Sequence, residues 1–220
     1  LIAESEQGYA ARMVLYNADG SRAEMSGNGI RCFAQALAAR RGNLDPQSSL
    51  TDAGDRLVTL DATDRTDTIL ATVDMGSIDP LPEPSGWSQL GCHPDRPVAH
   101  LSLGNPHSVV GVDDVDVVDL VELGSKVPQV NLEIVEPGER TDEIRLRVHE
   151  RGAGITEACG TGACASAVAA ASWGLATPRD RKLVVHMDGG SATVALDTPR
   201  AGRVTLTGPA TYVGTIEIEV

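Results

Sequence analysis

Glu150-Arg151-Gly152-Ala153-Gly154-Ile155-Thr156-Glu157-Ala158-Cys159-Gly160-Thr161-Gly162-Ala163-Cys164 is the stretch whose reading decides the fold. Gly160 and Gly162 permit a tight turn, and the alanine-rich run Ala163 to Trp173, free of Gly and Pro, predicts a helix directly after it. Such a turn aims free amide N–H groups at whatever it encloses, and the positive end of the helix dipole favours an anion there, a thiolate included. Cys159 therefore reads as a catalytic thiol drawn down from its usual pKa of about 8.5 toward neutrality. Cys164, set among small residues inside the helix, reads as core filler.

The stretch has an earlier counterpart. Ser26-Gly27-Asn28-Gly29 opens a second helix, Ile30 to Arg41, which ends in Arg40 and Arg41 followed by Gly42-Asn43. Laying Asn17 on Glu150 brings Glu24 onto Glu157, Ser26 onto Cys159, Gly27 onto Gly160, Asn28 onto Thr161 and Gly29 onto Gly162, at a constant offset of 133 residues. Self-similarity at so long a period predicts two related halves, each with one such loop and helix. Both helices are rich in small residues on nearly all sides, which predicts that each is buried within a sheet or barrel.

Alternation predicts strands at Arg12–Tyr16, Leu57–Leu60, Ile69–Asp74, Ala99–Leu103 and Ser108–Val112 in the first part of the chain. Further strands are expected at Val130–Val135, Ile144–Val148, Leu183–Met187, Ala192–Leu196, Val204–Thr207 and Thr215–Glu219. Asn17-Ala18-Asp19-Gly20 reads as a turn, Asp79 to Gly86 as a Pro-rich linker, and Asp113 to Glu122 as a solvated surface turn or helix. Strands outnumber helices, so the class is α+β with barrel-like sheets rather than a doubly wound nucleotide fold.

Composition narrows the partners. A net charge of −13 argues against nucleic acid and anionic membranes, which need a basic surface to displace counterions. No apolar run approaches the roughly 20 residues of a membrane span, and the first residues do not form a signal peptide, so a cytoplasmic location is expected. Four cysteines without paired C-x-x-C spacing predict reduced thiols, with neither a disulfide framework nor a zinc site. The two lysines, Lys126 and Lys182, lie in no marked context, which opposes a pyridoxal-phosphate Schiff base. Cys159-Gly160-Thr161-Gly162 lacks the Gly-Lys-Ser/Thr ending of a phosphate loop.

Two equivalent loops facing each other would hold a small anionic ligand between two helix N-termini. The reaction needing acid and base on opposite faces of one carbon is racemisation or epimerisation, and an amino-acid α-proton yields only where the carboxylate is strongly hydrogen-bonded and water is excluded. Asn17-Ala18-Asp19-Gly20-Ser21 through Ser26-Gly27-Asn28-Gly29-Ile30-Arg31-Cys32 supplies one ordered motif. Gly104-Asn105-Pro106-His107, Val130-Asn131, Glu150-Arg151-Gly152-Ala153-Gly154 and Ala158 to Cys164 supply the others. Together they resemble the diaminopimelate epimerase family over nearly the whole chain.

That resemblance implies a cofactor-independent, metal-free epimerase interconverting LL- and meso-2,6-diaminopimelate in lysine and peptidoglycan biosynthesis. It implies two pseudo-symmetric domains, each a mixed barrel-like sheet around a central helix, with the active site between them and a homodimer as the assembly. The expected halves are 1–82, completed by a last strand in 211–220, and 83–210. Cys159 matches one catalytic cysteine with Glu150 as its carboxylate partner, and His107 matches the histidine serving the other. Asn17, Asn105, Asn131, Glu150 and Arg151 match substrate-binding residues, with loop contacts from Gly27, Asn28, Gly160 and Thr161.

The chain departs from the family in two ways. Ser26 stands where the second catalytic cysteine is expected, and Cys32 does not replace it because the family motif carries a cysteine at that later position too. An alcohol ionises several units above a thiol, each unit being worth about 1.4 kcal/mol, so the expected mechanism has Cys159 on one face and Ser26, with His107 or a water, relaying the proton on the other. The family also carries an upstream segment with a substrate-binding asparagine, which is expected to be missing here. Alternative readings are a proline racemase-like or phenazine-pathway-like isomerase or dehydratase, and a non-catalytic amino-acid-binding homologue.

Overall fold

A computed structural model describes residues 1–17, 20–196 and 202–217. The first part of the chain runs β1 (Ile2–Glu4), β2 (Ala11–Tyr16), β3 (Arg22–Ala23), α1 (Gly27–Arg41), β4 (Gln47–Thr51), β5 (Gly54–Ala62) and β6 (Thr68–Ser77). Then come β7 (Asp79–Pro80), a 3-10 turn at Trp87–Leu90, β8 (Val98–Ser102), β9 (Pro106–Gly111) and α2 (Leu120–Lys126). The chain continues as β10 (Asn131–Pro137), β11 (Glu143–Glu150), β12 (Gly154–Thr156), α3 (Gly160–Trp173), β13 (Lys182–Met187), β14 (Gly190–Ala195) and β15 (Arg203–Thr211).

The strands join in one hydrogen-bonded path, β1-β2-β4-β5-β6-β15-β14-β13-β11-β10-β9-β8-β7, with β3 on β2 and β12 on β11. The fold is thus α+β and dominated by sheet. The two runs of the path meet at β15, which pairs with β6 from Arg203↔Ser77 to Thr211↔Thr68 and with β14 over Thr205–Thr207.

The repeat read from sequence is also a repeat of register. Leu15↔Ala23 and Tyr16↔Arg22 pair in the β2–β3 hairpin, and Val148↔Thr156 and His149↔Ile155 pair in β11–β12, each position displaced by the same 133 residues. Each hairpin leads into a helix, and the strand after each helix lies parallel to the hairpin's long strand, β4 on β2 and β13 on β11. The helices are capped alike. Ser26 and Cys159 have extended backbones at φ −139° and −127° and accept from the amides of Gly29 and Gly162, and Gly42 and Gly174 end the helices in the left-handed conformation at φ 72° and 71°.

Burial separates the two helices. α3 is buried from Gly160 to Ala170 apart from Val168, because its Ala, Gly, Ser and Cys side chains let sheet and helix approach on every side. α1 does not meet that expectation. It buries the stripe Ile30, Phe33, Ala34, Leu37 and Ala38 and leaves Cys32, Ala36 and Ala39 exposed, the i, i+3, i+4, i+7 spacing of a one-sided helix. Both helices share one core, in which Ile30, Phe33 and Leu37 join Ala163, Ala167 and Leu206.

A second cluster, with Trp87, Val115, Leu120, Leu132 and Ile134, lies on the other face of β9 and β10. These two strands are parallel and covered on both sides, so they read as continuous apolar runs. The same cluster corrects the reading of Asp113 to Glu122 as wholly solvated, since Val115 and Leu120 are inside it. Residues 79–80 of the expected linker are a short strand on β8. The strand expected at 215–219 is absent over its described residues 215–217, its last two positions lie outside the described residues, and the chain's final described strand is instead Arg203–Thr211. Of the turn at Asn17–Gly20, positions 18 and 19 lie outside the described residues.

Candidate active site

The site is built where the two helix N-termini touch. A Cβ placed on Gly27 would lie 2.7 Å from Gly160 Cα, and one placed on Gly160 would lie 2.7 Å from Gly27 Cα, so backbone meets backbone with no room for a side chain on either. Asn28 Nδ2 crosses the contact to donate to Ala158 O at 2.8 Å, and its Oδ1 accepts from Arg31 Nη2 at 3.1 Å. The N-cap residues Ser26 and Cys159 stand immediately before this contact, one on each helix.

The two caps differ in chemistry. Serine is among the best N-caps and Ser26 Oγ accepts from Gly29 N at 3.0 Å, which explains its presence structurally. Sulfur is a weak acceptor, and Cys159 Sγ is 3.4 Å both from Gly162 N and from Thr161 Oγ1, so capping alone does not explain a cysteine there. Cys159 is buried.

The expectation of a thiol drawn toward neutrality is overturned. Burial is the largest cause pushing the Cys159 thiol well above its ordinary value, and the charges of Glu150 and then Glu133 push the same way. The hydrogen bonds from Thr161 and Gly162 oppose them without prevailing. Cys159 thus rests as the protonated thiol. Cys164, in the core beneath it, is pushed by burial up to about 12 and serves as packing.

A polar cluster lies around Cys159. Glu150 ends β11 and its Oε1 accepts from Thr156 Oγ1 at 2.5 Å. Asn131 and His107 are aligned partners on the parallel strands β10 and β9. Asn131 Oδ1 accepts from the Arg151 amide at 2.8 Å, fixing the loop after Glu150. Arg151 Nη2 reaches Glu24 Oε2 at 2.6 Å, an ion pair that ties the loop after β3 to the loop after β11. Asn105 Nδ2 donates to Thr161 Oγ1 at 3.2 Å.

Cys159, Thr161, Asn105 and His107 are therefore contiguous, and Asn131 joins Arg151 beside Glu150. His107 is placed differently from the role of serving the residue opposite Cys159. Its ring is fully buried, with Nδ1 2.6 Å from Glu133 Oε1 and Nε2 3.1 Å from Asn105 Oδ1, so both nitrogens are engaged on the Cys159 side and neither meets Ser26. Asn17 is half-buried at the end of β2, where Nδ2 donates to Ser21 Oγ at 3.0 Å. Cys32 lies on the exposed side of α1. Among the described residues no cluster of three metal-ligating side chains occurs.

Two participants were not singled out from sequence, Glu133 and Glu24. Glu133 carried a legible signal, an acid between the apolar Leu132 and Ile134 of β10 and two residues from Asn131, hence on the same face. Its Oε1 lies 2.7 Å from where a Cβ on Gly162 would be. Gly162→Ala is accordingly expected to lower turnover by about tenfold or more while leaving helicity intact, because the new methyl meets both Glu133 and Cys159 Sγ although Ala favours the helix. Steady-state kinetics beside circular dichroism checks this.

Comparison with known proteins agrees with the geometry. The sequence profile of the family described as diaminopimelate epimerase matches residues 1–79 and 100–213. The diaminopimelate epimerase of Synechococcus elongatus is 39% identical over 94% of this chain and 78% of its own length. That of Bacteroides thetaiotaomicron is 38% identical over 94% and 77%, and that of Geobacillus kaustophilus 37% over 98% and 79%. Among solved structures, a phenazine biosynthesis protein of the PhzF family from Bacillus anthracis superposes with a TM-score of 0.72 at 15% identity, covering 99% of this chain and 83% of that one. A hydroxyproline epimerase from Agrobacterium vitis gives 0.68 at 17% identity, covering 96% and 71%. At such identities these two share the fold alone.

Proposed function

The chain belongs to the diaminopimelate epimerase family, and from that membership we propose the chemistry of its site: an isomerase interconverting LL- and meso-2,6-diaminopimelate by proton removal and return at Cα. The observation that carries the reading is the Gly27–Gly160 contact, which brings together the N-termini of two helices, one capped by Ser26 and the other by Cys159. A carboxylate held there receives amide N–H groups from both helices, and buried surroundings strengthen those bonds as negative charge develops at Cα.

Cys159 donates the proton on one face and, in the reverse direction, removes it. Glu150 is the partner of the substrate's ammonium group. Pairing with that cation offsets the carboxylate charge that now opposes thiolate formation, so substrate binding itself eases the ionisation Cys159 needs. Ser26 serves the opposite face as a relay, through a water rather than through His107. Asn17, Asn131 and Arg151 hold the distal amino-carboxylate end, Asn105 supports Thr161 from within the protein, and Gly27, Asn28, Gly160 and Thr161 line the loops. The reaction needs no cofactor in this scheme.

Ser26 is the sharpest test of the scheme. Ser26→Ala is expected to lower turnover at least tenfold on both stereoisomers and to cost about 1 kcal/mol through the lost cap. Ser26→Cys, which supplies a second thiol, is expected to exceed the unsubstituted protein. Chiral chromatography of product from each isomer reads both, and full activity in Ser26→Ala removes Ser26 from the mechanism.

Arg151→Ala is expected to raise KM about tenfold or more with little change in kcat. The Arg151–Glu24 pair is about one-third exposed, so stability should shift by less than about 1 kcal/mol. Initial rates and a urea titration separate the two effects.

We further propose that the halves are 1–82 and 83–210, with β15 shared between them, and that the protein works in the cytoplasm as a homodimer. Light scattering at twice the chain mass of 23.0 kDa tests the assembly. No helix among the described residues is long and apolar enough to cross a membrane.

A further inference from the structure

Glu133 is the one carboxylate among the described residues that is withdrawn from solvent, and its second oxygen, Oε2, is buried with no hydrogen-bond partner. A carboxylate so placed loses its hydration, and an apolar side chain would fill the same space between β9, β10 and α3 without that penalty. Burial pushes the Glu133 carboxyl above its usual range while His107 opposes the shift. The partnered oxygen of Glu133, Oε1, lies 2.6 Å from His107 Nδ1, so the two side chains share a short hydrogen bond that occupies one ring nitrogen.

The donors and acceptors beyond the pair follow one direction. Asn105 turns Oδ1 to His107 Nε2 and Nδ2 to Thr161 Oγ1, an orientation that matches a ring whose Nε2 carries the proton, because a carbonyl oxygen only accepts. Thr161 Oγ1 accepts from Asn105, which leaves its own hydrogen free to point at Cys159 Sγ at 3.4 Å. Were Nε2 bare, Asn105 would turn its amide N–H toward it and present Oδ1 to Thr161. The threonine hydrogen would then be drawn away from sulfur.

We propose that Glu133 is a positioning residue that keeps a proton on His107 Nε2 and so directs the chain His107–Asn105–Thr161 to end as a hydrogen bond from the Thr161 hydroxyl to Cys159 Sγ. That bond and the one from Gly162 N are the two donors to sulfur, and they hold the thiolate when Cys159 gives up its proton. The proposal deepens the epimerase reading and rests on Cys159 being the acid and base of one face. The ionisable groups facing the chain are Glu133, Cys159 and Glu150, whose charge bears on both of the others.

Nitrogen NMR of the full chain labelled at histidine reads the ring directly. His107 is expected to show Nε2 protonated at neutral pH, and a bare Nε2 would overturn the proposal whether or not the protein turns substrate over. Kinetics gives the second arm. Glu133→Leu and Thr161→Val are each expected to lower kcat roughly ten- to hundredfold, the worth of one hydrogen bond to a charged group, with little change in KM. The rising limb of kcat against pH should move to higher pH in both, and the double variant should be no slower than the slower single one.

Glu133→Gln, whose amide can donate to Nδ1 and leave the proton on Nε2, is expected to restore most of the activity. Losses that multiply in the double variant, or an unmoved pH limb in Glu133→Leu, would show a packing role only. If Glu133→Leu does not fold, the NMR tautomer and the Glu133→Gln rescue decide. Failure of the unsubstituted protein to epimerise would refute the activity while leaving the tautomer measurement to test the chain.

Discussion

Cys159→Ala is expected to cut turnover of both LL- and meso-diaminopimelate by about a thousandfold or more while the protein stays folded. A positioned acid or base contributes roughly 10² to 10⁴ in rate, and the α-carbon of an amino acid is too weak an acid for water to replace it. Sulfur's capping contribution is small at 3.4 Å from Gly162 N, so stability should change by less than about 1 kcal/mol. Cys159→Ser separates shape from ionisation. It keeps, and improves, an N-cap of the Ser26 kind, yet an alcohol ionises several units above a thiol, so its turnover should stay near that of Cys159→Ala. Equal folding of the three proteins by circular dichroism with activity in one alone is the expected pattern.

Gly160→Ala is expected to disable the protein by geometry rather than chemistry. The new Cβ would lie 2.7 Å from Gly27 Cα and 2.8 Å from Leu206 Cδ2. The first neighbour is backbone of the other helix and cannot turn aside, so the helix N-termini must part. Overpacking of this kind costs about 1 to 3 kcal/mol, and a shift near 1 Å between reacting groups costs about a hundredfold in rate. Stability should therefore fall measurably and activity by much more. Gly214→Ala, where a Cβ meets nothing within 4 Å, should leave both unchanged.

Much of this arrangement was legible in the sequence because it rests on local chemistry. The 133-residue offset aligns Ser26 with Cys159, and the structure gives those two the same extended backbone, the same amide bond three residues on and the same glycine-ended helix. Alternation in Ile144–Val148 foretold β11, whose Ile144, Leu146 and Val148 face the core. Both helices nevertheless begin earlier than expected, at Gly27 and Gly160, because a glycine that permits a turn also serves as the first helical residue where another backbone approaches.

What was not legible depends on contacts between distant segments. Nothing near Cys159 in sequence announces how completely the folded chain buries it, and burial, reinforced by Glu150 and then Glu133, outweighs the dipole that sequence reasoning relied on. The destination of His107 likewise depends on its alignment with Asn131 across two parallel strands. Position 26 shows the limit from the other side: serine satisfies the helix cap by itself, and residue type alone therefore does not distinguish a cap from a relay.

Incubation with LL-diaminopimelate in D₂O tests most directly whether a proton is removed and returned between the two helix mouths. The expected result by proton NMR and mass spectrometry is loss of the Cα–H signal at one centre and appearance of meso product carrying one deuterium there. Substrate that stays LL, with its Cα–H signal undiminished, would contradict the account.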